Sequence, residues 1–219
     1  LDSLLDLARL EAGAFPVKQE VVNVADLIKA AVGNFEVIAN HRGIRFAIDN
    51  KPVHLDVKGD ASLVQRVFDN ILSNAIKISP QGGCITTSLE FSVTGEAIIR
   101  FRDEGPGIPP NLAERIFEPF VQLELHKKGG GRGTGLGLTF CRAAVHEMGG
   151  KIWVEGTGGS GTTIAVSLPS ETPPTHIAVE LQSGADDVQQ PESPTETLLV
   201  RFPLRWSPTH LRCTHAFSA

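Results

Sequence analysis

The chain has 219 residues, 41% of them hydrophobic and 21% charged, the balance of a globular protein with room for one good core plus appendages. A net charge of −5 argues against a nucleic-acid surface. No apolar run reaches membrane-spanning length and no signal peptide heads the chain, so no membrane contact is expected from this segment. The three cysteines, Cys84, Cys141 and Cys213, are odd in number and share no metal-type spacing, which reads as a reducing cytoplasmic setting. An opening Leu1 in place of Met suggests a piece cut from something longer, whose parent is free to be membrane-anchored.

In chain order, "LDSLLDLARLEAG" reads as the end of a helix, with a stripe of Leu1, Leu4, Leu5 and Ala8 widened by Leu7 and Leu10 and closed by Gly13. "FPVKQEVVNV" reads as extended. Asn23 and Asp26 form a capped start for a helix through roughly Asn40. "GIRFAIDN" and "VHLDVKGD" alternate like strands. From an N-cap at Asp60, Leu63, Val64, Val67, Phe68, Ile71, Leu72 and Ala75 run along one helical face. "CITTSLEFSV" and "EAIIRFRD" predict a hairpin turning at Thr94-Gly95, and "KIWVEG" with "TTIAVSLP" predicts a second. Between them, "GGGRGTGLGL" packs six glycines into ten residues ahead of an amphipathic helix that stops at Gly149-Gly150. The elements mix without strict βαβ alternation. The expected fold class is therefore α+β, a two-layer α/β sandwich with a mixed sheet backed by helices.

Four stretches carry chemistry, and each also has a bland reading. Asn70, Asn74 and Lys77 sit at i, i+4 and i+7 on one side of the Asp60 helix. They read either as a solvated polar face or as a carboxamide for Mg²⁺ beside an ammonium for phosphate. "DEGPGIP", Asp103 to Pro109, reads as a tight turn, or as a strand-end carboxylate that accepts from an exocyclic amine while bare glycine backbone lets a planar ligand approach. "RIFEPFVQ" places Phe117 and Phe120 on either side of Pro119. The basic, glycine-rich run after it, with Lys127, Lys128 and Arg132, reads as a solubilising loop or as a lid that lays positive charge over phosphates. The glycines at 129–137 are a flexible connector or an anion site, because free N–H groups and the helix dipole converge at a helix N-terminus.

Taken together and in order, "NILSNAIK", "DEGPGIP", "IFEPFVQ", "GTGLGL" and "GSGTTIAVSLP" resemble the N, G1, F, G2 and G3 boxes of sensor histidine kinases. "LLDLARLEAG" resembles the end of that family's dimerisation hairpin. The resemblance covers residues 1–169. It implies a Bergerat-type ATP-binding fold, ATP and Mg²⁺ as ligands, and transfer of the γ-phosphate to a histidine on the hairpin. By the same resemblance, Asp103 would hold the adenine amino group, with Gly105, Gly107 and Ile108 letting the base approach and Thr162 beside it. Asn74 would coordinate Mg²⁺, Asn70 would support the triphosphate and Lys77 would contact phosphate, making Asn74 and Lys77 the catalytic pair. Phe117, Phe120, Lys127, Lys128 and Arg132 would belong to the lid, and Gly133, Thr134, Gly135, Leu136, Gly137 and Leu138 to the phosphate-facing turn. Implied partners are the phosphoacceptor hairpin, a response-regulator receiver domain and a second copy of the parent.

The same fold serves ATPases, which need a general base. They carry a glutamate at the place that Asn70 occupies, and an amide has no useful basicity near neutral pH. The neighbouring Asp69 points about 100° away on a helix. A non-enzymatic nucleotide-sensing or scaffolding domain is the remaining alternative. His41, His54, His126, His146, His176, His210 and His215 all lack the phosphoacceptor context of an acidic residue and an Arg-Pro turn, and read as surface or loop residues. The expected organisation is a hairpin end at 1–14, the ATP-binding domain at 15–169 and a Pro/Ser/Glu-rich disordered linker at 170–196. Residues 197–219 read as a truncated or non-native tail resembling the entry to a receiver domain, or as a peptide docking through Phe202 and Trp206.

Overall fold

The computed structural model describes residues 2–49, 55–121, 134–156 and 161–171; the predicted linker and tail lie outside the described residues. The elements are α1 (Asp2–Glu11), β1 (Glu20–Asn23), α2 (Val24–His41), β2 (Arg45–Asp49), β3 (Asp56–Gly59), α3 (Ala61–Ile78), β4 (Cys84–Phe91) and β5 (Glu96–Arg102). Two 3₁₀ turns follow at Pro110–Leu112 and Arg115–Phe117, then α4 (Gly137–Glu147), β6 (Lys151–Glu155) and β7 (Thr163–Pro169).

A five-stranded sheet runs in the order β2-β4-β5-β7-β6, parallel between β2 and β4 and antiparallel elsewhere, while β1 and β3 form a separate antiparallel pair. Both predicted hairpins form. The first turns at Gly95, which takes a positive φ and donates its N–H to the Ser92 carbonyl. The period-2 pattern of β5 and β7 sorts the two faces. Ala97, Ile99 and Phe101 lie opposite Leu168, Val166 and Ile164, and all six join the core under the helices. On the other face Arg100 is paired with Glu90 at 2.7 Å and with Glu155 at 2.6 Å. The mixed sheet backed by helices that the sequence predicted is therefore the architecture observed.

Helix α3 is the spine of the layer above. Its eight buried side chains, Leu63, Val64, Val67, Phe68, Ile71, Leu72, Ala75 and Ile76, form one stripe, and the Phe68 ring packs on Phe101 of the sheet with centroids 5.2 Å apart. Asp60 starts it by accepting from the N–H groups of Ser62 and Leu63, and it also holds the Lys18 N–H at 3.1 Å. Burial alone would raise the Asp60 carboxyl, but these hydrogen bonds and the one from the Ser62 hydroxyl outweigh it and hold it below the ordinary value. At the other end the Arg42 guanidinium, just past α2, donates to the carbonyls of Ile76 and Ser79. The last turn of α3 is thereby fixed to α2.

Helix α1 departs from the expected stripe. Leu7 and Leu10 are buried, at 4% and 1% exposure, while Leu4 and Leu5 remain 47% and 55% exposed. A short helix that is apolar on two sides can bury only one of them against a single neighbouring layer.

Candidate functional site

Asp103 follows directly on β5 and is 3% exposed. Its N–H donates to the Thr162 carbonyl at 2.9 Å, and the Thr162 N–H donates back to Asp103 Oδ1 at 3.2 Å. The Gly105 N–H adds a second bond to the same oxygen at 2.8 Å. Among the described residues nothing donates to Oδ2. Burial pushes the carboxyl above its ordinary value, and the two backbone N–H groups and the Arg102 charge hold it back in part. Beside it, the Thr162 hydroxyl is buried and has no hydrogen-bond partner among the described residues. Two polar atoms thus stand ready for a ligand, the Asp103 oxygen as an acceptor and the buried Thr162 hydroxyl able to donate or accept. Gly105 is required by space. A Cβ there would lie 2.8 Å from Asp103 Oδ1 and 3.1 Å from the Ile78 carbonyl oxygen, so the "DEGPG" backbone rests directly against the end of α3.

The other end of the site lies one to two turns back along α3. Asn70 and Asn74 are half-buried, and a Cβ on Gly137 would lie 3.2 Å from Asn70 Oδ1, so the first turn of α4 abuts that carboxamide. The Asn70 side chain also reaches Cys141, whose thiol is pushed up to about 12 by burial and drawn back in part by Asn70 and the Arg66 charge. Among the described residues helix α4 has no side-chain cap, leaving its first-turn N–H groups without the usual partner there. The Thr139 hydroxyl in that turn is likewise buried and unpartnered among the described residues. From Asn70 to Ile78 is about 12 Å of helix. The carboxylate and the uncapped helix are therefore separated by roughly two turns of α3. Asp69 faces away, accepting from Asn34 of α2 and from Gln65.

The remaining predicted positions divide into groups. Ile108, Ile116 and Phe117 form a small second core with Leu138, Ile152 and Val154, which packs behind the site and ties the 103–109 turn to α4. Phe120 is 67% exposed at φ 61°, and its N–H donates to the Gly135 carbonyl at 3.1 Å. Gly135, at φ 72°, lies so close that a Cβ would come within 2.9 Å of Phe120 Cα. The chain thus leaves and re-enters this place at one clasp. Leu136 is buried, and the exposed Thr134 accepts the Leu136 N–H on its hydroxyl at 3.4 Å. Lys77 is exposed on the shoulder of α3, where it also lines a shallow groove with Ile38 and His41 of α2. Lys127, Lys128, Arg132 and Gly133 lie outside the described residues. Sequence reasoning passed over Thr139, Cys141 and Arg66. The spacing of Arg66, four residues before Asn70, was a signal available for the last.

A family model described as histidine kinase-, DNA gyrase B-, and HSP90-like ATPase matches residues 59–172, just over half of the chain. The chain belongs to this family. Its ATPase-type domain is similar to sensor histidine kinase TmoS of Ectopseudomonas mendocina, 34% identical over 199 residues, 91% of this chain and 20% of TmoS. It is also similar to sensor histidine kinase WalK of Bacillus subtilis, 31% identical over 77% of this chain and 28% of WalK. The chain spans between a fifth and under a third of these relatives' lengths. Among solved structures, full-length ShkA in complex with AMPPNP superposes with a TM-score of 0.67 at 26% identity, over 77% of this chain and 35% of that one. A mycobacterial sensor histidine kinase, MprB, superposes at 0.60 with 31% identity, over 71% of this chain and 99% of that one. The domain is an ATP-binding domain of the histidine kinase type. Among its described residues no helix is long and apolar enough to cross a membrane.

Proposed function

We propose that residues 15–169 are the catalytic ATP-binding domain of a sensor histidine kinase, presenting Mg-ATP to a histidine on a helical hairpin of which α1, in residues 1–14, is the end. The observation that carries the reading is the pairing of Asp103, with Oδ2 and the neighbouring Thr162 hydroxyl open, with the uncapped start of α4 against Asn70 about two turns along the same helix. The first suits an adenine amine and its ring edge; the second suits phosphate. In this reading Asn74 coordinates Mg²⁺ and Lys77 meets phosphate. Among the described residues no cluster of three or more His, Cys, Asp or Glu side chains forms a metal cage. A single carboxamide fits a cation that arrives with its phosphates and keeps much of its water. Lys127, Lys128 and Arg132 would add charge over the triphosphate. Ile108, Phe117 and Leu138 would act on the nucleotide through the packing of the turns around it.

ATP hydrolysis is disfavoured by a specific observation: Asn70 cannot accept a proton, and Asp69 is turned to α2 and hydrogen-bonded there. The partners that follow from the reading are the parent's phosphoacceptor hairpin, a receiver domain and a second parent copy. Titration of the chain with a fluorescent ATP analogue, with and without Mg²⁺, tests the site. Asn74→Ala should abolish the Mg²⁺-dependent part of the affinity and leave the metal-free part intact. Undiminished Mg²⁺ dependence in that variant would remove Asn74 from the site.

A further inference from the structure

We infer that Arg66 is a positioning residue for phosphotransfer: by joining Asp6 of α1 to Phe140 of α4 it fixes the direction in which the phosphoacceptor hairpin leaves the nucleotide face. The inference rests on the kinase reading above. Arg66 Nη1 lies 2.6 Å from Asp6 Oδ2, and the guanidinium carbon lies 3.8 Å from the centroid of the Phe140 ring. The two charged side chains are only 34% and 24% exposed, so the pair is partly withdrawn from water and less screened than a surface pair.

One planar group on α3 therefore touches two further helices, α1 and α4. An arginine can lie flat on a ring while donating in its own plane to a carboxylate, and a lysine cannot do both. Leu7 and Leu10 already attach α1 through buried apolar surface, which is non-directional. The Asp6–Arg66–Phe140 contact adds what burial lacks, an angle.

That angle is connected to the nucleotide end. Arg66 stands one helical turn before Asn70 on the same side of α3. Phe140 stands at the fourth position of α4, whose first residue, Gly137, abuts Asn70. The direction of α1 is thereby set against the same helix whose first turn abuts Asn70.

The test uses the longer parent chain that carries the hairpin. Arg66→Lys and Asp6→Asn keep the fold and should leave affinity for an ATP analogue and KM for ATP within about twofold while lowering kcat for histidine phosphorylation about tenfold. Arg66→Asp should be worse, and adding Asp6→Arg to it should recover part of the lost kcat. Unchanged kcat in both conservative variants would overturn the inference. So would a fall in kcat accompanied by an equal loss of ATP affinity and of thermal stability, the mark of a purely structural role. Bound ATP with no phosphohistidine in the unaltered parent would instead overturn the kinase reading, and this inference with it.

Discussion

Replacing Asp103 with asparagine separates the site from the fold. The side chains are nearly the same size, and the amide keeps one oxygen. That oxygen can take the place of Oδ1 and go on accepting from Gly105 and Thr162. The amide nitrogen then stands where Oδ2 stood, and a donor faces the adenine amine, also a donor. A buried mismatch of this kind costs about 1–3 kcal/mol, which is roughly 5- to 150-fold in affinity. The folded protein should not suffer. Burial raises the Asp103 carboxyl above its ordinary value of 3.8, so the native state favours the protonated form and loses stability as pH rises from that value through the raised one. The neutral asparagine removes that loss. Near neutral pH, Asp103→Asn should therefore melt no lower than wild type while binding a fluorescent ATP analogue 5- to 150-fold more weakly. Its stability profile should also lack the loss that the raised Asp103 carboxyl is expected to give wild type as pH rises above 3.8. Equal affinities, or a melting temperature that drops with affinity, would refute the assignment of Asp103 to the base.

Gly135→Ala puts a Cβ against Phe120 on top of a strained backbone, whereas Gly82→Ala carries a similar φ with nothing within 4 Å. Gly82→Ala should lose about 1–2 kcal/mol of stability by thermal unfolding and Gly135→Ala more, and only Gly135→Ala should also weaken ATP-analogue binding, by about fivefold or more; equal binding in the two would disconnect the Phe120–Gly135 clasp from the site. Asp60→Ala removes the acceptor of three backbone N–H groups and should cost on the order of 2 kcal/mol in chemical denaturation. Because the Asp60 carboxyl is held below its ordinary 3.8, the stability it contributes is fully present above that value and lost as pH falls from there through the lowered one, so wild type and variant should converge in acid.

Much of this site was legible because glycines, asparagines and caps carry local meaning. Asp60 and Asn23 announced two helices by capping chemistry alone, and both cap as expected. The Thr94-Gly95 turn and the Gly149-Gly150 stop were equally local. The parallel pairing of β2 with β4 was not legible, because a crossover partner is a property of the whole sheet rather than of either strand. Nor was the buried side of α1. Its leucines mark two faces, and the choice of Leu7 and Leu10 depends on which layer stands opposite. At the site, Ile108, Phe117 and Leu138 could be placed near the nucleotide by order along the chain, but their gathering into a small core of their own needed three dimensions. The Arg66 clamp is longer range still, joining residues 60 positions apart in sequence.

The central claim is that bound ATP gives its γ-phosphate to a histidine rather than to water. The measurement is made with γ-³²P-ATP and Mg²⁺ on this chain, alone and mixed with the parent's phosphoacceptor hairpin. The account predicts no label on the chain by itself, slow release of inorganic phosphate, and acid-labile, base-stable label on the hairpin that depends on Asn74. Rapid phosphate release by the chain alone, with no label on the hairpin, would contradict it.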